Sequence, residues 1–169
     1  DPFLTVKIGT CVYGRPIYLT KEERNELLLH DFKKKKLQLC RDIFVFQCLV
    51  GARYIDLSRL LPSNIVDGIL EYIPSKTSKN SQQVQPRVPL IQPAIDILKK
   101  YEGVDVAGRI LPFPSMTNYD DNIKEMFEVA GLDRMVTTLN TVTGEQEKQP
   151  LYQVASSHMA RRAFIGSLY

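Results

Sequence analysis

Cysteine and histidine are both scarce in this 169-residue chain, and their scarcity excludes several kinds of site. The cysteines are Cys11, Cys40 and Cys48, an odd number with no C-x-x-C pair. A disulfide framework is therefore not expected, and a reduced intracellular compartment, the cytoplasm, is the simpler prediction. The only histidines are His30 and His158, so no metal-ligand spacing occurs and no bound metal is predicted.

Long apolar runs and a strong excess of one charge are also missing. No segment is as long and apolar as a bilayer span requires, and no signal peptide opens the sequence, so no membrane partner is expected. The net charge is only +3 and the sequence pI is about 8.7, below the strongly basic range of many nucleic-acid-binding domains. Composition therefore permits an acidic partner without identifying one.

The residue composition of the chain indicates one globular domain. Hydrophobic residues make up 44% of the chain and charged residues 24%, which favours a packed core over disorder. We predict an extended lead-in or linker over residues 1–19 and a single domain over residues 20–169. The chain begins at Asp1 rather than Met, and its last helical pattern is still running at Tyr169. We therefore expect a piece of a longer protein, cut inside a structural element.

Helical periodicity dominates the sequence. Thr20 and Glu23 form a capping-box pattern ahead of a first helix. The second helix is apolar nearly all round, which predicts a central core helix that stops at Gly51. Pro62 closes a short helix, and Pro93 stands at the start of another. The predicted helices cover residues 21–31, 37–50, 52–61, 93–101, 118–130 and the chain from Ser156 onward.

Between these helices the apolar period changes to two, which is typical of strands. Residues 64–66 and 69–73 are predicted to form a hairpin that turns at Asp67-Gly68. Residues 84–90 form a third strand, and Pro86 makes it an edge strand. Residues 136–154 are predicted to form a further β-hairpin that turns at Thr143-Gly144. The fold class is therefore mainly α with a small antiparallel three-stranded sheet (α+β), plus that hairpin.

The start of the last helix has the composition of an anion site. Ser156 or Ser157 can act as its N-cap. His158 and Arg161 are three residues apart in the first turn, so they share a face. Backbone N–H groups, an imidazole and a guanidinium then point at one spot, which suits an oxyanion such as phosphate.

Each residue that could carry chemistry also has an ordinary structural explanation. Arg53 could be a surface arginine that pairs with Asp56, three residues further on. Lys76 lies in a polar loop among serines, where lysines are common, and His158 could simply cap its helix. Taken one at a time, none of these residues identifies a function.

The order of four segments is more specific than any one of them. Together they resemble the catalytic domain of the tyrosine recombinases, the phage integrase family, over about residues 20 to 169. The helix that ends in Glu128-Val129-Ala130-Gly131-Leu132 also looks like a helix of this family. The four matching segments are Gly51-Ala52-Arg53-Tyr54-Ile55-Asp56-Leu57, Lys76-Thr77, Arg87-Val88-Pro89-Leu90 and His158-Met159-Ala160-Arg161-Arg162.

The resemblance implies site-specific DNA recombination or integration without a metal or a high-energy cofactor. A tyrosine attacks a phosphodiester of double-stranded DNA, forms a 3′-phosphotyrosine and releases a 5′-hydroxyl. A tetrameric synapse with other recombinase protomers is expected for the full-length protein. Arg53 and Arg161 would clamp the non-bridging oxygens, because planar guanidinium groups bind such oxygens in pairs. Asp56 would orient Arg53, Lys76 would protonate the leaving oxygen, and His158 would assist proton transfer or bind phosphate.

The resemblance also implies contacts with the DNA backbone and leaves some assignments open. Lys79 is the nearest rival to Lys76 for the lysine role. The possible backbone contacts are Thr77, Lys79, Arg87, Ser157 and Arg162.

The sequence departs from the family pattern at its end. The family places a second His or Trp, and then the nucleophilic tyrosine, well downstream of the His-x-x-Arg helix. Tyr169 follows His158 by only eleven positions, and we predict a structural role for it. The fragment is therefore expected to be inactive alone. The alternatives are a non-catalytic DNA-binding or regulatory module on this fold, a type IB topoisomerase-like enzyme, and an unrelated helical protein-interaction domain.

Overall fold

The computed structural model describes residues 16–75, 85–140 and 142–166. Within these ranges the chain is mainly helical, with a three-stranded antiparallel sheet and a separate two-stranded hairpin. This is the predicted fold class. The elements are α1 (Lys21–Leu29), α2 (Lys35–Val50), α3 (Tyr54–Leu57), a 3-10 turn (Pro62–Asn64), β1 (Ile65–Val66), β2 (Ile69–Glu71), β3 (Arg87–Pro89), α4 (Gln92–Lys100), α5 (Met116–Val129), β4 (Met135–Leu139), β5 (Gln146–Pro150), α6 (Leu151–Val154) and α7 (Ser157–Gly166).

The second helix, α2, is the centre of the core, as its all-round apolar sequence predicts. Nearly every residue from Cys40 to Val50 is buried, and α2 packs against α1, α4, α5 and α7. Phe44 meets Phe127 of α5 edge-to-face, with ring centroids 5.3 Å apart. No helix of the described ranges is long and apolar enough to cross a membrane.

The first helix starts at its predicted capping box. The Thr20 hydroxyl accepts the N–H of Glu23 at 3.2 Å, and the Glu23 carboxylate accepts the N–H of Thr20 at 2.8 Å. The helix ends at Leu29, two residues before the predicted end, because His30 takes an extended backbone conformation. Leu19, at the end of the predicted lead-in, is buried in the core.

The three strands follow the predicted order, and β2 lies in the middle. Asp67 and Gly68 have φ values of 51° and 74°, so they form the two-residue turn that joins β1 to β2. Leu70 pairs with Val88 and is fully buried, so one face of the sheet covers the core. The third strand is an edge strand, as predicted, although Pro86 precedes it rather than interrupting it.

Two further predicted elements are wrong in their extent. The predicted hairpin over residues 136–154 ends earlier, because Leu151–Val154 is the short helix α6 and the Leu151 side chain is fully buried. The predicted helix over residues 52–61 shrinks to Tyr54–Leu57. Pro62 does not simply close it but begins the following 3-10 turn, where its fixed φ suits a first position and its missing N–H costs nothing.

A buried carboxylate joins α2 to the end of α4. Asp42 is 2% exposed and accepts hydrogen bonds from Arg41 at 2.8 Å, from Lys100 at 2.7 Å and from the Tyr101 hydroxyl at 2.7 Å. Arg41 also donates to the carbonyl of His30 at the end of α1. Burial and the bond to Asp42 both raise the pKa of Tyr101. This cluster, Asp42 with its three donors, fixes α1, α2 and α4 relative to one another.

Candidate functional site

The junction between α2 and α3 depends on a glycine. Gly51 ends α2 with φ +68°, a left-handed conformation that L side chains rarely adopt. A Cβ atom placed on it would lie 2.2 Å from Cδ1 of Phe164. Helix α7 therefore packs directly on this junction, and the backbone turns there to present Arg53 at the start of α3.

Arg161 of α7 is anchored to the same junction. Its Nη1 donates to the carbonyl of Gly51 at 2.7 Å, and the side chain is half-buried. The carbonyl that it binds lies two residues before Arg53 in the chain. Among the described residues, no carboxylate lies within 4.0 Å of the guanidinium of Arg53 or of Arg161. Both positive charges therefore remain available to an anionic ligand.

Buried polar side chains form hydrogen bonds that hold the junction between α2 and α3. Gln47 donates to the carbonyl of Ala52 at 3.1 Å, and the hydroxyl of Tyr119 donates to the Gln47 side chain at 3.0 Å. The ring of Tyr54 stacks on Tyr119 with centroids 4.8 Å apart, and its hydroxyl bonds the carbonyl of Pro114. Full burial raises the pKa of Tyr119. Sequence reasoning missed this support, because Gln47 and Tyr119 are 72 positions apart.

Asp56 connects α3 to the loop that follows β2. It is 6% exposed, and its Oδ1 accepts the N–H of Ser75 at 2.8 Å. Ser75 directly precedes Lys76, which lies outside the described residues. The alternative of a surface ion pair between Asp56 and Arg53 is wrong, since Asp56 is buried and no ion pair joins these two residues. That Asp56 orients Arg53 stays a prediction.

Tyr72 is a candidate site residue that the sequence motifs do not predict. It follows β2, is 7% exposed and lies two positions after Leu70, so both side chains face inward. Burial raises the pKa of Tyr72 most and the nearby Asp56 raises it further, whereas Arg161 and Arg53 lower it. The charges of Arg53 and Arg161 therefore both act on the titration of this phenol. The alternation of Leu70 and Tyr72 was the available signal.

The start of α7 is partly occupied by a carboxylate of the protein itself. Ser157 is 3% exposed, and its N–H donates to Oδ1 of Asp120 in α5 at 2.8 Å. This N–H is therefore taken, contrary to the expectation that the first amides of the helix point at a ligand. His158 is exposed, one residue further along the helix.

The residues that are predicted to contact the DNA backbone differ in their exposure and in their hydrogen-bond partners. Arg87 is exposed, and its Nε donates to Glu71 on the neighbouring strand at 2.6 Å. Arg162 is exposed, and its Nη1 donates to the carbonyl of Ile17 at 3.4 Å. The burial of Ser157 opposes a direct contact with DNA. The remaining predicted site residues, Lys76, Thr77 and Lys79, lie outside the described residues, as does Tyr169.

The described residues offer no grouping of three or more His, Cys, Asp or Glu side chains that could hold a metal ion. Cys40 and Cys48 are buried free thiols, and burial raises the pKa of both. The polar groups of the candidate site are guanidinium, imidazole, phenol and carboxylate. The first three can donate hydrogen bonds to an oxyanion, whereas a carboxylate accepts hydrogen bonds and can hold such donors in place.

Several solved structures share this architecture, among them the following three. XerH site-specific recombinase bound to difH substrate in a pre-cleavage complex matches with a TM-score of 0.57 and 16% identity, over 91% of this chain and 43% of that one. XerH bound to palindromic difH substrate in a post-cleavage complex matches with a TM-score of 0.58 and 16% identity, over 91% and 42%. The lambda integrase catalytic core matches with a TM-score of 0.57 and 19% identity, over 89% and 84%. The chain has the fold of a tyrosine recombinase catalytic domain.

The recombinase fold that the sequence motifs implied is therefore confirmed, and the alternative of an unrelated helical fold is wrong. No protein-family model and no curated protein matches the sequence. The chain spans less than half the length of the two XerH chains, but the catalytic core of lambda integrase is covered over most of its length. The site around Gly51, Arg53 and Arg161 lies within this recombinase fold.

Proposed function

We propose that this chain is the DNA-cleaving domain of a site-specific recombinase or integrase that acts through a 3′-phosphotyrosine intermediate. The observation that carries the proposal is the hydrogen bond from Arg161 to the Gly51 carbonyl, two residues before Arg53. The Gly51 carbonyl anchors Arg161 beside the segment that bears Arg53, and no described carboxylate neutralises either group. This arrangement lies in a fold shared with XerH site-specific recombinase, whose solved complexes hold its difH substrate.

The two arginines supply the positive charge that the reaction needs. In-line attack on phosphorus concentrates negative charge on the two non-bridging oxygens. A guanidinium offers several N–H donors in a planar fork and remains charged at every physiological pH. Arg53 and Arg161 would each bind one of these oxygens, and the bond from Arg161 to Gly51 fixes its orientation before DNA arrives.

Two further residues would move protons. The tyrosine oxygen bonds to phosphorus as the bond from phosphorus to the 5′-oxygen breaks. Lys76 would give its proton to that leaving oxygen, and the bond between Asp56 and Ser75 would hold the start of its loop against α3. His158 shares a helix face with Arg161 and would accept the proton of the attacking tyrosine or bind the phosphate. We assign the nucleophile to none of the described tyrosines.

The proposed substrate is double-stranded DNA, and further protomers would assemble on it as a tetrameric synapse in the cytoplasm. Arg87, Arg162 and the loop residues Thr77 and Lys79 would contact the phosphate backbone on either side of the cleaved position. Such contacts position the protein without reading sequence, so sequence preference would come from other groups. These contacts also supply an affinity that salt weakens.

A covalent-adduct assay tests this function. The protein is expressed from its complete reading frame and incubated with a nicked duplex that carries its recombination site. We expect an adduct that survives denaturing electrophoresis, and Arg161→Ala should reduce its yield about 100-fold or more. Arg109→Ala is the matched control, because the Arg109 guanidinium is held by Asp105 rather than by the junction at Gly51.

The same assay separates the competing functions. A 5′-linked rather than 3′-linked phosphotyrosine would contradict the proposed polarity. DNA binding with no adduct under any condition would favour the non-catalytic module. An adduct that reseals only onto its own strand, and never onto a second duplex, would favour a topoisomerase-like activity. An Arg161→Ala yield equal to that of Arg109→Ala would overturn the proposed clamp.

A further inference from the structure

The hydroxyl of Tyr72 has no hydrogen-bond partner among the described residues. The residue is 7% exposed, so its ring is held by the core, yet none of the described residues forms a hydrogen bond with its hydroxyl. No buried side-chain nitrogen or oxygen in the described ranges lacks a partner. The Tyr72 oxygen must therefore reach solvent while the ring remains enclosed. A phenol with a packed ring and an open tip offers one hydrogen bond in a fixed direction.

The surroundings of this hydroxyl are those of the proposed phosphate site. Ser75, three residues further on, is tied to Asp56 of α3 at 2.8 Å. The charges of Asp56, Arg161 and Arg53 are all close enough to act on the titration of Tyr72. Because burial and Asp56 raise the pKa of this phenol, it keeps its proton at neutral pH and acts as a donor rather than as a nucleophile.

We propose that the Tyr72 hydroxyl is a further phosphate-binding group, which donates a hydrogen bond to a non-bridging oxygen held between Arg53 and Arg161. The inference rests on the proposed function, since it needs a phosphodiester at the two arginines. The rigid position of the ring makes the hydroxyl a preorganised donor, which loses little freedom when the ligand arrives. Because the hydroxyl is neutral, it would orient the phosphate through a hydrogen bond without adding charge to the site.

Removal of this one oxygen distinguishes a ligand contact from a structural contact. The ¹⁵N-labelled chain is titrated with inorganic phosphate at low ionic strength, and the amide resonances of Gly51 and Ser75 report binding. We expect Tyr72→Phe to raise the Kd for phosphate about tenfold, the effect of one lost hydrogen bond to a charged group. The thermal midpoint should not fall, because the hydroxyl has no described partner to lose.

Tyr101→Phe is the matched control, because it removes a hydroxyl that is bonded to Asp42 away from the site. It should lower the thermal midpoint and leave the Kd for phosphate unchanged. An unchanged Kd in Tyr72→Phe would overturn the inference. So would a lower thermal midpoint in Tyr72→Phe, since the hydroxyl would then act on the fold.

A further variant separates this inference from the proposed function. If phosphate shifts neither amide in the unmodified chain, or if Arg161→Ala leaves the Kd unchanged, the arginine site itself is wrong. If Arg161→Ala abolishes binding but Tyr72→Phe does not weaken it, the arginine site stands and only the role of Tyr72 fails.

Discussion

Arg161 belongs to α7, but its guanidinium binds the carbonyl of Gly51 at the end of α2. One hydrogen bond therefore couples the last described helix to the backbone that presents Arg53. The same glycine lies under the ring of Phe164, one turn further along α7. The position of Arg161 beside this backbone therefore depends on the close approach that Gly51 allows.

Gly51→Ala is expected to destabilise the protein for two separable reasons. The left-handed backbone costs about 1 to 2 kcal/mol for a residue with a Cβ atom. The new methyl also displaces Phe164, which adds about 1 to 3 kcal/mol of overpacking strain. Urea unfolding measures the sum.

Gly131→Ala is the control for the backbone effect. Gly131 has φ +74°, but a Cβ atom there would meet nothing within 4 Å. Gly131→Ala should therefore lower the free energy of unfolding by the backbone contribution alone. Equal losses of unfolding free energy at Gly51 and Gly131 would contradict the close packing of α7 on the junction.

Among the elements, α2 and α4 are held together by the buried Asp42. Asp42→Ala leaves the Arg41 and Lys100 cations without their partner, and we expect a loss of about 3 kcal/mol in the free energy of unfolding. Tyr101→Phe removes only one neutral donor and should cost about 1 kcal/mol. Urea titrations of the two variants measure the difference. A loss in Asp42→Ala no larger than that in Tyr101→Phe would show that the carboxylate is not the centre of the cluster.

The attachment of α3 to the loop after β2 gives a second prediction at this scale. Asp56→Ala removes the acceptor of the Ser75 N–H, so amide exchange at Ser75 should accelerate about tenfold. Asp56→Asn keeps a side-chain oxygen and should retain most of the protection. Hydrogen exchange followed by NMR compares the two variants. Unchanged protection in Asp56→Ala would mean that another group holds the start of the loop.

Elements whose chemistry is local could be predicted from sequence. The capping box of α1, the glycine stop of α2 and the turn at Asp67-Gly68 each need only a few neighbouring residues. The sequence predicts a hairpin through residue 154, but residues 151–154 form the short helix α6. Leu151 is buried where α6 packs against α5, and this tertiary packing favours a helix over a strand.

The candidate site shows the same contrast between local and long-range features. The sequence predicts Arg53, His158 and Arg161 because each lies in a short segment with recognisable order. It does not predict Tyr72 or Gln47, since their surroundings depend on partners that are distant in the chain. No spacing rule connects Gln47 to the carbonyl of Ala52 and to Tyr119 at once. Such contacts become visible only when the helices are packed.

For the whole molecule, the proposed function requires binding to a polyanion. The net charge of +3 is small, so affinity must come from locally arranged cations rather than from bulk charge. With about four phosphates contacted, the logarithm of the association constant should fall with the logarithm of salt with a slope of about −4. Fluorescence anisotropy with a random duplex between 50 and 200 mM salt (approximate working range) measures this slope. A slope near zero would contradict a phosphate-binding surface.

The central claim is that Arg53 and Arg161 act on one phosphate. Single-turnover cleavage by the protein expressed from its complete reading frame tests it most directly, with Arg53→Lys, Arg161→Lys and the double variant. Lysine keeps the charge but loses the planar fork, so each single variant should cleave more slowly. If both residues clamp the same phosphate, the loss in the double variant should be clearly smaller than the product of the two single losses. Losses that multiply in full would mean that the two arginines act independently and would contradict the shared clamp.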